Sequence, residues 1–288
     1  MLLNTYEPWK FAFSQEIEDI TENSFGIIGV PFDSTTSYHS GARLGPIVVR
    51  EASFGFEKFN TVFNKDLTAT FYDFGDVNVI PGNCEGTCNI IEDTVNELLD
   101  LNLKPLIIGG EHSASIGAIK ALSEKYDKLT VIHLDAHRDL AFDFIGEKYS
   151  HATVMRRAHE MGVNLVQIGI RSSSSDEEEF VKSTYNIQTF KNKDTHKHMD
   201  AIEYYLTNID GPIYISIDMD VIDPSLAPHV GNPTPGGLFI SEIENLLVTL
   251  SRKNVVGFDV VETATDRLGD NTAVVAAKII YDFLTLIE

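Results

Sequence analysis

The chain has 288 residues, 43% of them hydrophobic, enough to bury a sizeable core in one α/β domain. Its formal net charge of -21, with no basic block, argues against nucleic acid and anionic membrane as partners. Cys84 and Cys88 are the only cysteines; with no leader-like start and no long apolar run, they predict free thiols in a soluble, cytoplasmic protein.

Residues 1–24 mix Tyr6, Trp9, Phe11 and Phe13 with acids and show no period, so they are read as an arm laid over a single domain spanning 1–288. Short apolar runs follow at 25–30, 70–74, 106–108, 130–134, 165–170, 213–217 and 255–261. They are rich in Val and Ile and do not alternate with polar residues, as expected of strands buried on both faces. Helical spacing occupies 47–59, 90–101, 114–126, 240–250 and 272–286. Strand-helix alternation of this kind predicts a parallel sheet with helices on both sides. Ser175 with Glu178 three places on reads as a helix entry. Two loops stand apart: 35–46, after the first strand, and 223–237, stiffened by four prolines and shaped by three glycines.

The stretch Val131 to Leu140 begins as a buried strand and turns polar at its end. Side chains on extended backbone alternate faces, so Asp135, His137 and Asp139 can project to one side. The run 215–221 ends likewise in Asp218 and Asp220, and the run 106–113 ends in Gly109, Gly110, Glu111 and His112. Open parallel sheets gather ligands at the carboxyl ends of their strands, so three such ends can build one site. A single strand-end Asp often caps the next helix, but six candidate ligands on three strand ends point to a metal centre.

Four carboxylates in a partly buried site repel one another unless cations neutralise them. Carboxylate oxygen with a minority of imidazole suits Mn(II), tolerates Fe(II), Co(II) or Zn(II), and excludes soft copper or iron-sulfur chemistry. Two cations roughly 3.5–4 Å apart can share and acidify a water, which predicts hydrolysis. His133 has the ligands' parity but lies inside its strand, and is read as a core or supporting residue. His196 and His198 are read as decorating an exposed loop, and Arg156 and Arg157 as solvating a helix face. Ser113 and Ser115 lack the Gly-x-Ser-x-Gly frame of a serine nucleophile, and Gly109-Gly110 lacks the Lys of a phosphate loop.

Gly109-Gly110-Glu111-His112-Ser113, Asp135-Ala136-His137-Arg138-Asp139 and Ser216-Ile217-Asp218-Met219-Asp220-Val221-Ile222-Asp223-Pro224 resemble the metal motifs of the ureohydrolases, the arginase and agmatinase family. The likeness runs from about Gly29 to the C-terminus. It implies a three-layer αβα sandwich around a mostly parallel, eight-stranded sheet, two Mn(II) ions per chain and a homo-oligomer, trimer or hexamer. It also implies that His112, Asp135, Asp139 and Asp218 hold one ion, and His137, Asp135, Asp218 and Asp220 the other, with Asp135 and Asp218 bridging. By the same likeness His151 carries protons and Glu262 holds a guanidinium.

Arginases have an Asn soon after the second Asp of Asp-Ala-His-x-Asp and a Ser-Gly-Asn run before the catalytic histidine; neither occurs in 140–150. Loop 35–46 resembles that of agmatinases, and Asp143 or Glu147 is expected to face a distal ammonium. Departures from the family pattern occur at His39, in the 227–232 run, and after Glu262, where the usual proline is missing. They bear on the substrate more than on hydrolysis. The expected activity is hydrolysis of agmatine, a small cationic guanidino compound, to putrescine and urea. Guanidinobutyrate, formiminoglutamate or arginine as substrate is the first alternative, and a non-catalytic metal-binding scaffold the second.

Overall fold

A run such as Val-Ile-His-Leu has no polar face to offer water, so it is stable only with both faces covered. The computed structural model, which describes residues 2–6, 9–18, 20–195 and 197–287, covers them with helices on each side. In chain order the strands are β1 Thr5–Tyr6, β2 Phe25–Val30, β3 Phe59–Asn60, β4 Lys65–Asp66, β5 Phe71–Val77, β6 Lys104–Gly109, β7 Thr130–Leu134, β8 Asn164–Ile170, β9 Ile187–Lys191, β10 Pro212–Asp218 and β11 Asn254–Val261. The helices are α1 Gly45–Ser53, α2 Cys84–Asp100, α3 Ala114–Lys125, α4 Val154–Glu160, α5 Ser175–Ser183, α6 Asn192–Thr195, α7 Met199–Thr207, α8 Ile240–Leu250 and α9 Asn271–Leu286.

The main sheet runs β1-β5-β2-β6-β11-β10-β7-β8-β9. From β5 to β9 its eight strands are parallel, as expected; only the two-residue β1 is antiparallel, on the edge beside β5. After β6 the chain passes over two positions to β7, winds out to β9, and returns to lay β10 and β11 in the gap. Four strands from distant parts of the sequence thereby end side by side at the centre. Register aligns those ends: Ile217 of β10 faces Leu134 of β7, Asp218 faces Val261 of β11, and Val260 faces Ile108 of β6.

Alternation sorts each strand between two apolar layers. Ile132 and Leu134 of β7 join the side covered by α1, α7, α8 and α9, whereas Val131 joins the side covered by α2, α3 and α4. On α2, Ile91, Val95 and Leu98 are fully buried at spacings of four and three; each contributes about 1.5–3 kcal/mol of apolar burial. Cys84 and Cys88 on the same helix are buried free thiols, as expected.

Several boundaries differ from the sequence reading. The helix expected over 47–59 stops at Ser53, and Gly55 breaks the pattern before residue 59 enters β3. The helix expected from residue 90 begins at Cys84, capped by the Asn83 side chain accepting from Gly86 N at 2.8 Å. The capping box of α5 is Ser174 with Glu177, one place before the pair expected. Glu178 instead accepts from Arg138 Nε at 2.8 Å. In the N-terminal segment β1 pairs with β5, Gln15 bridges Tyr72, and buried Phe11 donates its N–H to Asp73. His198 is exposed; His196 lies outside the described residues. Among the described residues no helix is long and apolar enough to cross a membrane.

Candidate metal centre

The carboxyl ends of β6, β11, β10 and β7 deliver the predicted site residues to one cavity of about 440 Å³, bordered by His112, His137, Asp139, His151, Asp218, Asp220 and Glu262. Asp135 is fully buried beside them. His112 Nδ1 stands 3.2 Å from Asp135 Oδ2, 2.9 Å from Asp139 Oδ2 and 3.2 Å from Asp218 Oδ2. His137 Nδ1 stands 2.8 Å from Asp220 Oδ2 and 3.6 Å from Asp135 Oδ1. Ligands held at right angles around a cation at about 2.1–2.2 Å are themselves about 3 Å apart, so both spacings suit a coordination sphere. The two oxygens of Asp135 face different clusters, the position of a bridging carboxylate. Asp218 offers Oδ2 to the His112 cluster at 3.2 Å, while its Oδ1 accepts from Asp220 N at 2.8 Å.

The best test of fit is His112. Its Nδ1 is buried amid three carboxylates yet aligns a hydrogen bond with none of them. A buried nitrogen without a partner is costly, and a cation among these four groups would satisfy it. The donor set, oxygen with imidazole, fits a hard or borderline divalent ion.

Charge tells the same story. Burial pushes His112 down, but Asp135, Asp139 and Asp218 outweigh it and hold the imidazole well above its usual range. Burial likewise lowers His137, and Asp220 and Asp135 overcome it, pushing it up to about 12. Burial, with the neighbouring acids, raises Asp218 well above the carboxylate range and Asp220 to about 6. A cation bound in this cluster would compete with protons for the same atoms.

Beneath the ligands lies a second set of contacts that the sequence reading did not resolve. Buried Asp259 accepts from Ser115, Tyr214 and Ser216 hydroxyls. Having given its proton to Asp259, Ser216 Oγ is left to accept from His112 Nε2 at 3.0 Å, which leaves Nδ1, facing the carboxylates, as the nitrogen available to a metal. Ser216→Ala is expected to weaken manganese affinity about 10–100-fold by competition titration, with excess metal restoring function. Unchanged affinity would count against this linkage. His133 Nε2 donates to Asp135 Oδ2 at 2.7 Å and its Nδ1 accepts from Gln167 Nε2 at 3.1 Å, the supporting position expected of it.

Two site residues sit in the left-handed region, Asp139 at φ 52° and Glu262 at φ 67°. Such backbone is unfavourable away from glycine and persists where the surroundings enforce it. Glu262 N donates to Gly110 O at 2.8 Å, and Glu262 Oε1 accepts from His112 N at 2.8 Å. Gly231 passes so close to Glu262 Oε2 that a side chain there would collide with it. The 223–237 loop is stapled by Asp223, whose carboxylate accepts from Ser225, Gly236 and Gly237 N–H groups. Arg171 ties the loop to the β10 end through Thr234 O and Asp220 O.

Two expectations need correction. Arg157 does not solvate a helix face: it is 2% exposed, and it donates to Lys148 O, Phe142 O and Glu160, holding the segment that leads to His151. Neither Asp143 nor Glu147 borders the cavity; Asp143 caps its own turn by accepting from Gly146 N, and Glu147 is exposed. Besides the candidate ligands and Glu262, the acid that borders the cavity is Glu177. It also accepts from Ser174 N and Leu140 N, which fix its place.

The sequence profile described as "Arginase family" matches residues 23–285. An agmatinase of Pyrococcus horikoshii is 37% identical over 98% of this chain and 97% of its own length. An N(1)-aminopropylagmatine ureohydrolase of Thermococcus kodakarensis is 36% identical over 97% and 95%. The crystal structure of an agmatine ureohydrolase of Thermoplasma volcanium superposes with a TM-score of 0.86 at 32% identity, covering 97% of this chain and 94% of that one.

Proposed function

The chain belongs to the arginase family, and from that premise we propose that it hydrolyses agmatine to putrescine and urea. His112, Asp135, Asp139 and Asp218 would hold one divalent cation and His137, Asp220 and Asp135 a second, with Mn(II) suited to both. Such a pair supplies charge neutralisation and a water acidified toward neutrality. Glu262 takes the guanidinium and orients its carbon toward the ligand clusters. His151, at the cavity wall, passes a proton to the departing amine. Glu177 meets the distal ammonium. Cytoplasmic location and a trimeric or hexameric assembly belong to the same reading.

The observation that carries it is the unpartnered His112 Nδ1 among three carboxylates, on the side of the cavity where Glu262 is buried. The direct test loads the protein with manganese and measures urea from agmatine, arginine, guanidinobutyrate and aminopropylagmatine. No urea from any of them would defeat the proposal. A second reading, a longer guanidine bearing a polyamine tail, is favoured by the open cavity of about 440 Å³ and by the similarity to the Thermococcus protein. Glu177→Gln is expected to raise KM for agmatine about 10-fold, worth about 1.4 kcal/mol, with little change in kcat. An unchanged KM for every cationic substrate would remove Glu177 from the binding site.

A further inference from the structure

Glu111 is completely buried beside the ligand His112, yet no cation partners it among the described residues. Three donors fill its two oxygens instead. Thr35 N lies 2.7 Å from Oε2, while Thr35 Oγ1 at 2.5 Å and Ser113 Oγ at 2.6 Å both reach Oε1. Thr35 Oγ1 has two further neighbours, both on His151: the backbone N at 3.0 Å and the ring Nδ1 at 3.2 Å.

A hydroxyl has one proton and two lone pairs. The proton of Thr35 goes to Glu111, so its oxygen can only accept from His151. The backbone N–H fills one lone pair, and the other requires a proton on Nδ1. That leaves Nε2 as the nitrogen able to take a proton while the ring is neutral. The ring is further held edge-on by Phe144, centroids 5.0 Å apart at 75°.

We propose that Thr35, backed by Glu111, is a positioning residue that locks His151 in its Nδ1–H tautomer and presents Nε2 to the substrate. The inference rests on the proposed proton-carrying role of His151. It gives loop 35–46 a mechanical role, because the loop brings a hydroxyl from the end of β2 to a histidine 116 positions away in sequence.

A double-mutant cycle on manganese-loaded protein tests it, with urea release, metal content and melting temperature read for each variant. Thr35→Val is expected to lower kcat about 10- to 100-fold, a share of the 10²–10⁴ that a positioned acid-base group supplies, with KM and metal content unchanged. Thr35→Ser is expected to restore most of that loss. In a His151→Ala background, Thr35→Val should bring no further loss, because the residue it positions has gone. Full additivity of the two changes would overturn the proposal, as would a Thr35→Val enzyme as fast as wild type. Should Thr35→Val fail to fold or to hold metal, Thr35→Ala takes its place in the cycle under the same criteria. A His151→Ala enzyme at wild-type rate would instead defeat the proton-carrying role itself, so the two failures are distinguishable.

Discussion

Asp135→Asn is expected to reduce urea release at least about 10³-fold, an increase of about 4 kcal/mol in the barrier, and to leave the protein without its full metal complement. Asp135 is the one carboxylate whose two oxygens face different clusters, Oδ2 toward His112 and Oδ1 toward His137. An amide keeps the volume but replaces one oxygen with a donor that cannot ligate. It also removes a negative charge that His133, His112 and His137 hold well below the carboxylate range against the opposing effect of burial. Both clusters are therefore impaired by one atom. Metal analysis should show the deficit directly. Melting supplies a second readout, since a cation bound only by the folded state stabilises it by about 2.7 kcal/mol at 100 times its Kd. Wild type should gain melting temperature with manganese, and Asp135→Asn should gain far less. Equal gains together with retained urea release would show that this carboxylate is no ligand.

The candidate ligands are legible in the chain because they stand at or just past the ends of apolar runs that leave each strand no freedom of face: β7 coincides with its predicted run, and Asp135 follows its last position. What lies outside that pattern is hidden. Strand β9 is half-exposed at the sheet edge, so Ile187–Lys191 lacks the continuous apolar run that identifies the central strands. The α5 cap falls one place early because a run of four serines before three glutamates allows more than one box, and only the backbone angle at Ser174 decides. Arg157 resembles a surface charge because sequence gives no sign that three acceptors would converge on it. Glu111 and Thr35 are 76 positions apart, and no local period connects a loop hydroxyl to an acid at another strand end. Neighbours of that kind are set by sheet order, which the chain reveals only once β10 and β11 are placed between β6 and β7.

Glu262→Gln is expected to lose about 10²–10⁴ in kcat/KM for guanidino substrates while keeping its metal. The magnitude is that of removing one partner from a buried, hydrogen-bonded charge pair, roughly 3–5 kcal/mol. Glu262 is 5% exposed, and among the described residues no Lys or Arg pairs with it. Burial raises its carboxyl to about 8, with the charge of Glu111 adding to the effect. In the proposed reading the guanidinium is the cation that meets this buried acid, since its planar fork can meet a carboxylate through two hydrogen bonds. The sign of the pH effect follows: below the Glu262 pKa a proton competes with the cationic substrate, so kcat/KM should climb with pH and level off above it. Bound divalent cations draw that pKa down, so the midpoint is expected below the value that burial alone would set. The glutamine variant has no proton to lose there and should be flat over the same range. If Glu262→Gln keeps both its rate and the rising limb, the guanidinium is held by another residue; if it loses manganese as well, Glu262 supports the metal rather than the substrate.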